Sequence, residues 1–412
     1  MKILEAIHER TAGIDIHQKT AVVSALIEQK NGEVEIITQE FGTSKKRLQD
    51  LAKWLLELKV DLCVIESTGV YWKPVHRVLE MAGLTLAVVN ARHVKNVPGR
   101  KTDIKDSQWL GSLGRYGLLK ASFVPDEDLQ QIRLITRYRN KLVGMLASEK
   151  NRMHKMLVDA GVHLANVVSD INGISAQAII EGLLNDVAIE EILKQLKGSL
   201  KGKATAIREV LEEITLSKRH RFVLSEIRGH MRELEKRLAG VTAEIFEAMK
   251  PYEQQWKLLQ TIPGIDAVGA AMLIAEMGVN MERFGSEEEF CSWSGMCPGN
   301  HESAGKSKSG KRRKGNAVIR KVLCELSNGA IRTKSQFKSK YQTLVIRRGH
   351  KRAVVAIGHK IQRVIYCVLK KGQPYRDPGI DYQGLVVKKN APRWMRALEE
   401  FGYLPKPATQ FA

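Results

Sequence analysis

Cysteine is scarce, with five residues in 412, at Cys63, Cys291, Cys297, Cys324 and Cys367. The number is odd, the spacing is irregular and no C-x-x-C pair occurs, which excludes a disulfide framework and suits a reducing compartment. Cys291 and Cys297 with His301 could begin a zinc site, but without paired spacing none is expected. Long apolar runs are missing too, so no membrane span or membrane partner is expected. The opening M-K-I-L-E-A-I-H-E-R lacks the apolar centre of a signal peptide, and cytoplasmic residence is the expectation. The most telling shortage is local. Residues 301–371 contain two carboxylates, Glu302 and Glu325, against 20 Lys and Arg. That stretch therefore supplies +18 of the net +21, a concentrated positive field of the kind that binds a phosphodiester backbone.

What is present is a folded, multidomain composition: 43% apolar and 27% charged residues over 412 positions, too long for a single core. Four segments are expected: 1–124, 125–254, 255–375 and a tail at 376–412. The first reads as α/β. Ala12–Ile16, Thr20–Glu28 and Glu33–Phe41 are β-rich, the last two joined across Lys30-Asn31-Gly32. Leu48, Leu51, Leu55 and Leu58 predict a helix at Ser44–Leu58. Strand Leu62–Glu66, a Val75–Met81 helix and strand Thr85–Asn90 follow. A hairpin followed by strand–helix–strand is the order of an RNase H-like domain.

The second segment is helical. Asp128–Val158 carries apolar residues at helical intervals. Leu224, Ile227, Met231, Leu234, Leu238, Val241 and Ile245 alternate spacings of three and four, a coiled-coil-like seam. It either zips to another protomer or folds back on Asp128–Val158. The third segment opens with I-P-G-I-D-A-V-G-A-A in Leu258–Gly278, a helix-hairpin-helix-like motif whose turn could offer backbone N–H groups to phosphate or simply make an αα corner. A helix at Ala353–Leu369 carries Lys360 and Arg363. The tail beyond Lys371 gives no functional signal.

Two constellations carry chemistry. Asp15 lies in G-I-D-I on the first strand and Glu66 ends the L-C-V-I-E strand. Asp103 and Asp106, in K-T-D-I-K-D-S, are spaced i, i+3, which on a helix places both carboxylates on one face. Clustered carboxylates repel unless a cation offsets them, and Mg²⁺ (or Mn²⁺) prefers such oxygen ligands. The second constellation is P-G-N-H-E-S-A-G-K-S-K-S-G-K-R-R-K-G-N-A-V-I-R, from Pro298 to Arg320. It has no apolar face and sets Ser303 beside a run of bases. Lys306, Lys308, Lys311, Arg312, Arg313, Lys314 and Arg320 are the expected nucleic-acid contacts.

With G-I-D, V-I-E-S-T-G and G-R-K-T-D-I-K-D around them, Asp15, Glu66, Asp103 and Asp106 resemble the N-terminal RuvC-like domain of the Asp-Glu-Asp-Asp insertion-sequence transposases. The I-P-G-I-D-A-V-G motif and the Pro298–Arg320 segment resemble the C-terminal domain of the same family. The resemblance implies a recombinase of a bacterial or archaeal nucleoid that binds donor and target DNA and is guided by a structured noncoding RNA, the bridge RNA. It also implies metal ligation by the four acids and nucleophilic attack by Ser303, which matches the family serine, with Ser307 and Ser309 as nearby rivals; Ala304 stands where many relatives have a second serine. A homo-oligomer, dimer or tetramer, with a site composed from different protomers is implied as well. A RuvC-like junction nuclease without a covalent intermediate and a non-catalytic nucleic-acid-binding protein are the competing classes.

Overall fold

The computed structural model describes residues 5–67, 69–95, 97, 105–168, 170–171, 173–212, 216–297, 301–303, 306–309 and 315–404, with the backbone alone at 92, 95, 301–303 and 306–309. It divides into two compact units, 1–127 and 128–412.

The first unit is built on a mixed five-stranded sheet of order β3-β2-β1-β4-β5. Its strands are β1 (Arg10–Ile16), β2 (Thr20–Glu28), β3 (Val34–Gly42), β4 (Leu62–Glu66) and β5 (Leu86–Val89). The first three are antiparallel, whereas β4 runs parallel to both β1 and β5. Helices α1 (Lys45–Glu57) and α2 (Trp72–Met81) cover one face, and α3 (Ala91–Lys95) and α4 (Asp106–Arg115) complete the unit. The predicted α1 helix matches because Leu48, Leu51 and Leu55 recur on one side and are fully buried.

Strand alternation sorts the sheet's two faces. Ala12, Ile14 and Ile16 of β1, with Cys63 and Ile65 of β4, join α1 and α2 in one core. Val64 and Val89 point the other way and pack with Leu110 and Leu113 of α4. Each large buried side chain contributes about 1.5–3 kcal/mol, so α4 is held mainly by these contacts. Close approach is possible because Gly13 has no side chain: a Cβ there would lie 2.0 Å from the Ser107 carbonyl oxygen and 2.4 Å from the Gly111 nitrogen. Ser24 Oγ hydrogen-bonds Ser107 Oγ at 2.8 Å, and Thr11 Oγ1 donates to the Gly111 carbonyl at 3.1 Å. Hydrophobic contact and buried polar pins thus fix the register of α4 on the sheet.

The second unit begins with α5 (Glu127–Asp159), followed by α6 (Ile174–Leu184), α7 (Ile189–Lys194), α8 (Ala204–Glu212) and α9 (Lys218–Ala248). Helices α5 and α9 run antiparallel. His220 faces Asp159 at 3.1 Å, His230 faces Glu149 at 3.3 Å, and Arg139 Nε donates to Thr242 Oγ1 at 2.8 Å. Leu224, Ile227 and Met231 of the heptad seam share a core with Met153 and Leu157 of α5. Within this chain the seam therefore folds back on α5, one of the two partners its spacing left open.

Next come α10 (Glu253–Gln260), α11 (Ala267–Met277), α12 (Glu287–Ser294), the strand pair β6 (His301–Ser303) and β7 (Lys306–Ser309), α13 (Ala317–Ala330), α14 (Gln336–Lys371) and α15 (Tyr382–Glu400). Helix α14 is interrupted at Gly349, where φ is 69°. The Pro-Gly turn between α10 and α11 packs inward: Gly264 adopts φ +89°, and a Cβ there would lie 2.3 Å from the Ala330 nitrogen of α13. Asp266 caps α11 by accepting from the Gly269 N–H at 2.7 Å. Among the described residues no helix is long and apolar enough to cross a membrane. The tail, without signal in the sequence, contains the 19-residue helix α15.

Candidate active site

Three of the four expected acids converge in the first unit. The β1–β4 register pairs Gly13 with Val64 and Ile14 with Ile65, so Asp15 and Glu66 occupy the next rung. Gly13 and Val64 face α4, and alternation puts Asp15 and Glu66 on that same face. Asp106 is the first residue of α4, where a carboxylate is favoured by the helix dipole. The Ser24–Ser107 hydrogen bond holds its neighbour on the sheet. A cleft of about 430 Å³ is lined by Asp15, Asp106, Lys105, Thr38, Gln39 and Glu40, among others.

Electrostatics register the convergence. Burial pushes the Asp15 carboxyl above its ordinary value; the His17 imidazole pulls it down, and the Asp106 and Glu66 carboxylates push it up again. His17 Nε2 stands 3.3 Å from Asp15 Oδ2. Negative neighbours around a half-buried carboxylate suit a hard divalent cation, and oxygen-only donors match Mg²⁺ or Mn²⁺ better than a softer metal. Among the described residues no three His, Cys, Asp or Glu side chains close a metal-ligand cluster by themselves. Asp103 lies outside the described residues, and α4 begins at Asp106.

Sequence reasoning missed Glu40. The registers Asp15↔Val22 and Val22↔Glu40 place it on the same rung and face as Asp15, two strands away. The signal was present in the hairpin alternation. His17, two residues beyond Asp15, was overlooked because a single exposed histidine has no pattern.

Ser303 belongs to the second unit. It ends β6, and its backbone pairs with Lys306 of β7, with Glu302 opposite Ser307. Lys308 is also on β7, whereas Lys311, Arg312, Arg313 and Lys314 fall outside the described residues. Arg320 is half-buried on α13. The two ends of this segment meet. Helix α12 closes at Gly295 with φ 71°, and a Cβ on Gly315 would lie 2.3 Å from the Gly295 nitrogen. The Asn316 N–H donates to the Trp293 carbonyl at 3.3 Å.

Asn316 also connects the segment to a buried charge. Its Oδ1 caps α13 by accepting from Val318 and Ile319 N–H at 3.0 and 3.3 Å. Its Nδ2 donates to Glu276 Oε2 at 2.8 Å. Glu276, on α11 and 1% exposed, accepts from Arg137 Nε and Nη2 at 2.7 and 3.0 Å. Arg133 Nη2 donates to the Glu276 carbonyl at 2.6 Å. Helices α5, α11 and α13 thus share one carboxylate at the exit of the serine segment.

Comparison with known proteins gives the class. A DEDD transposase model matches residues 12–161, and a model described as Transposase IS116/IS110/IS902 family matches residues 256–342. The first range spans all four acids and the second spans Ser303 with the basic residues after it. The chain is a transposase, an enzyme class that cuts and rejoins DNA. It is 22% identical over 327 residues to the "Transposase for insertion sequence element IS1111A" of Coxiella burnetii, covering 77% of this chain and 80% of that protein. It is also 22% identical over 326 residues to the "Probable family 20 transposase" of Pseudomonas aeruginosa, covering 77% of this chain and 86% of that protein. The chain belongs to the IS110 family of insertion-sequence transposases.

Proposed function

We propose that this transposase is an RNA-guided recombinase that forms a phosphoserine intermediate at Ser303, assisted by a divalent cation on an RNase H-like (RuvC-like) domain. The observation that carries the reading is the convergence of Asp15, Glu66 and Asp106 on one sheet face from three separate elements. The order β3-β2-β1-β4-β5, antiparallel then parallel, supports the RuvC-like assignment. In this reading residues 1–124 are the metal domain, 125–254 the helical and oligomerisation region, 255–375 the serine domain and 376–412 a tail.

Asp15, Glu66, Asp103 and Asp106 would hold Mg²⁺ or Mn²⁺, which when bound neutralises charge developing on the phosphate oxygens. Ser303 Oγ attacks the scissile phosphorus, a P–O bond to one DNA strand breaks, and a serine phosphodiester forms. The serine hydroxyl loses its proton, and the departing strand oxygen gains one. Religation reverses both transfers, so no high-energy cofactor is consumed. Lys306, Lys308, Lys311, Arg312, Arg313, Lys314 and Arg320 hold the backbone in place, a role that carries no sequence preference. Sequence choice falls to base pairing between a structured bridge RNA and the donor and target DNA. The working form is a homo-oligomer, dimer or tetramer, in a bacterial or archaeal nucleoid.

The test is a suicide DNA substrate with the full chain, Mg²⁺ and co-expressed RNA. A denaturant-stable protein–DNA adduct that disappears in Ser303→Ala is expected. Cleavage by Ser303→Ala at the wild-type rate would instead leave a water-using junction nuclease. Protein purified from cells carrying the element's flanks should retain one discrete RNA, and its absence would remove the guide from the scheme.

A further inference from the structure

A cavity of about 670 Å³ lies in the second unit between α14 and the segment that leads into α15. Lys340, Lys360, Arg363, Lys371 and Arg376 line it together with Tyr375 and Tyr382. Glu287 is the carboxylate on that lining, and Arg363 is ion-paired with it. The Lys340 and Lys360 ammonium groups each stand 4.4 Å from the centroid of the Tyr382 ring. Lys360 Nζ also donates to the Tyr382 hydroxyl. Cation–π attraction holds both ammonium groups to one ring, which sets two positive charges at this wall of the cavity.

The rest of the site is built to hold this arrangement. The Tyr382 N–H donates to Ser339 Oγ at 2.8 Å, beside Lys340. Asp381 caps α15 by accepting from the Gln383 N–H at 3.0 Å. Gln336 fastens the preceding turn at two points: its Nε2 donates to the Tyr375 hydroxyl at 2.7 Å, and its N–H to Asp377 Oδ2 at 3.0 Å. The nearby Asp377 and Asp381 carboxylates thus accept from backbone N–H groups. Neither lines the cavity, whose wall carries five Lys and Arg side chains against Glu287.

We infer that this cavity is a second nucleic-acid site, which takes a phosphate-bearing unit of a single strand on Lys340 and Lys360 beside Tyr382. Its concavity selects the occupant. Duplex phosphates lie on a convex cylinder, whereas a pocket of this size accepts a nucleotide unit of a flexible strand, with cations for the backbone and aromatic surface for the base. The strand is RNA or displaced DNA, whose phosphate chemistry is the same. The inference rests on the chain's DNA-processing activity and not on the serine chemistry at Ser303.

Fluorescence anisotropy with labelled 20-nucleotide single-stranded RNA, single-stranded DNA of the same sequence and the matching DNA duplex tests it on the full chain. Lys340→Gln/Lys360→Gln should weaken single-strand binding roughly tenfold or more and lower the salt slope by about 0.7, the value for one lost phosphate contact on a single strand. Duplex binding should change less than twofold. Loss on RNA alone identifies the guide as occupant, loss on DNA alone the displaced strand, and loss on both the shared backbone; each supports the site. Lys340→Arg/Lys360→Arg should restore most of the affinity. The Gln variant gives up the cation–π contacts and the Lys360–Tyr382 hydrogen bond, so its melting temperature should fall slightly, and unchanged duplex binding shows that the fold is intact. Equal loss on single strand and duplex, or no loss on either, overturns the inference. Adduct formation at Ser303 on a preformed nicked substrate is scored in parallel, so failure of the serine chemistry and failure of this pocket stay distinguishable.

Discussion

Glu276→Gln isolates the buried charge that joins three helices. The side chain is 1% exposed and faces Arg133, 17% exposed, and Arg137, 41% exposed. Glutamine keeps the shape and one acceptor but leaves both guanidinium groups without their carboxylate. Removing one partner from a buried pair costs about 3–5 kcal/mol. Arg137 is partly solvated and its share is screened, so about 3 kcal/mol is expected here. For a unit of this size that lowers the melting temperature by roughly 6–12 °C. Circular dichroism melts of the full chain measure it, with Glu276→Met/Arg137→Met expected to recover part of the loss as an apolar pair. The pH dependence follows the same charge. Burial raises the Glu276 carboxyl, but the Arg137 hydrogen bond, the Arg133 charge and the Asn316 hydrogen bond outweigh it and hold it below the ordinary glutamate value. A depressed carboxyl contributes stability above its unfolded value, and that stability is lost as pH falls through the folded value. The wild type should therefore lose stability on the acid side more steeply than Glu276→Gln. A Gln variant within about 0.5 kcal/mol of wild type, well inside surface-mutation range, would refute the reasoning.

Gly13→Ala should push α4 away from β1, because the new methyl would sit 2.0 Å from the Ser107 carbonyl oxygen. About 1–3 kcal/mol of stability and most DNA cleavage should be lost with every carboxylate intact, as read by melts and a nicking assay. Asp15→Asn should abolish cleavage without lowering the melting temperature, since it removes one of the mutually repelling charges around Asp15. Added Mg²⁺ should raise the melting temperature of wild type and not that of the variant. Ser303→Ala should retain DNA binding in a mobility-shift assay while losing the covalent adduct.

Much of the first unit was legible because its pattern is local. Strand alternation gave β2 and β4 at their observed bounds, and β1, β3 and β5 within two residues. The leucine period gave α1. What placed the acids together was less visible: Gly13 permits the close approach of α4, and nothing in G-I-D-I announces a helix packing on it. The i, i+3 argument put Asp103 and Asp106 on one helix; α4 is described from Asp106 onward, and Asp103 lies outside the described residues. In the second unit, β6 and β7 escaped notice because His-Glu-Ser and Lys-Ser-Lys-Ser carry no apolar alternation. The α14–α15 cavity was invisible for a related reason. Its residues come from positions 287–382, and Tyr382 meets Lys340 and Lys360 only through tertiary folding.

The meeting of Gly295 with Gly315 has a bearing on how such an enzyme can diversify. The chain leaves the helical scaffold and returns to it at one point. When two ends are already joined, doubling the length between them adds only about 0.6 kcal/mol of closure entropy. Residues can be inserted, deleted or exchanged inside the ring with little consequence for α12 and α13. A segment tethered at one point in this way can change in length while the helices that hold it keep their place.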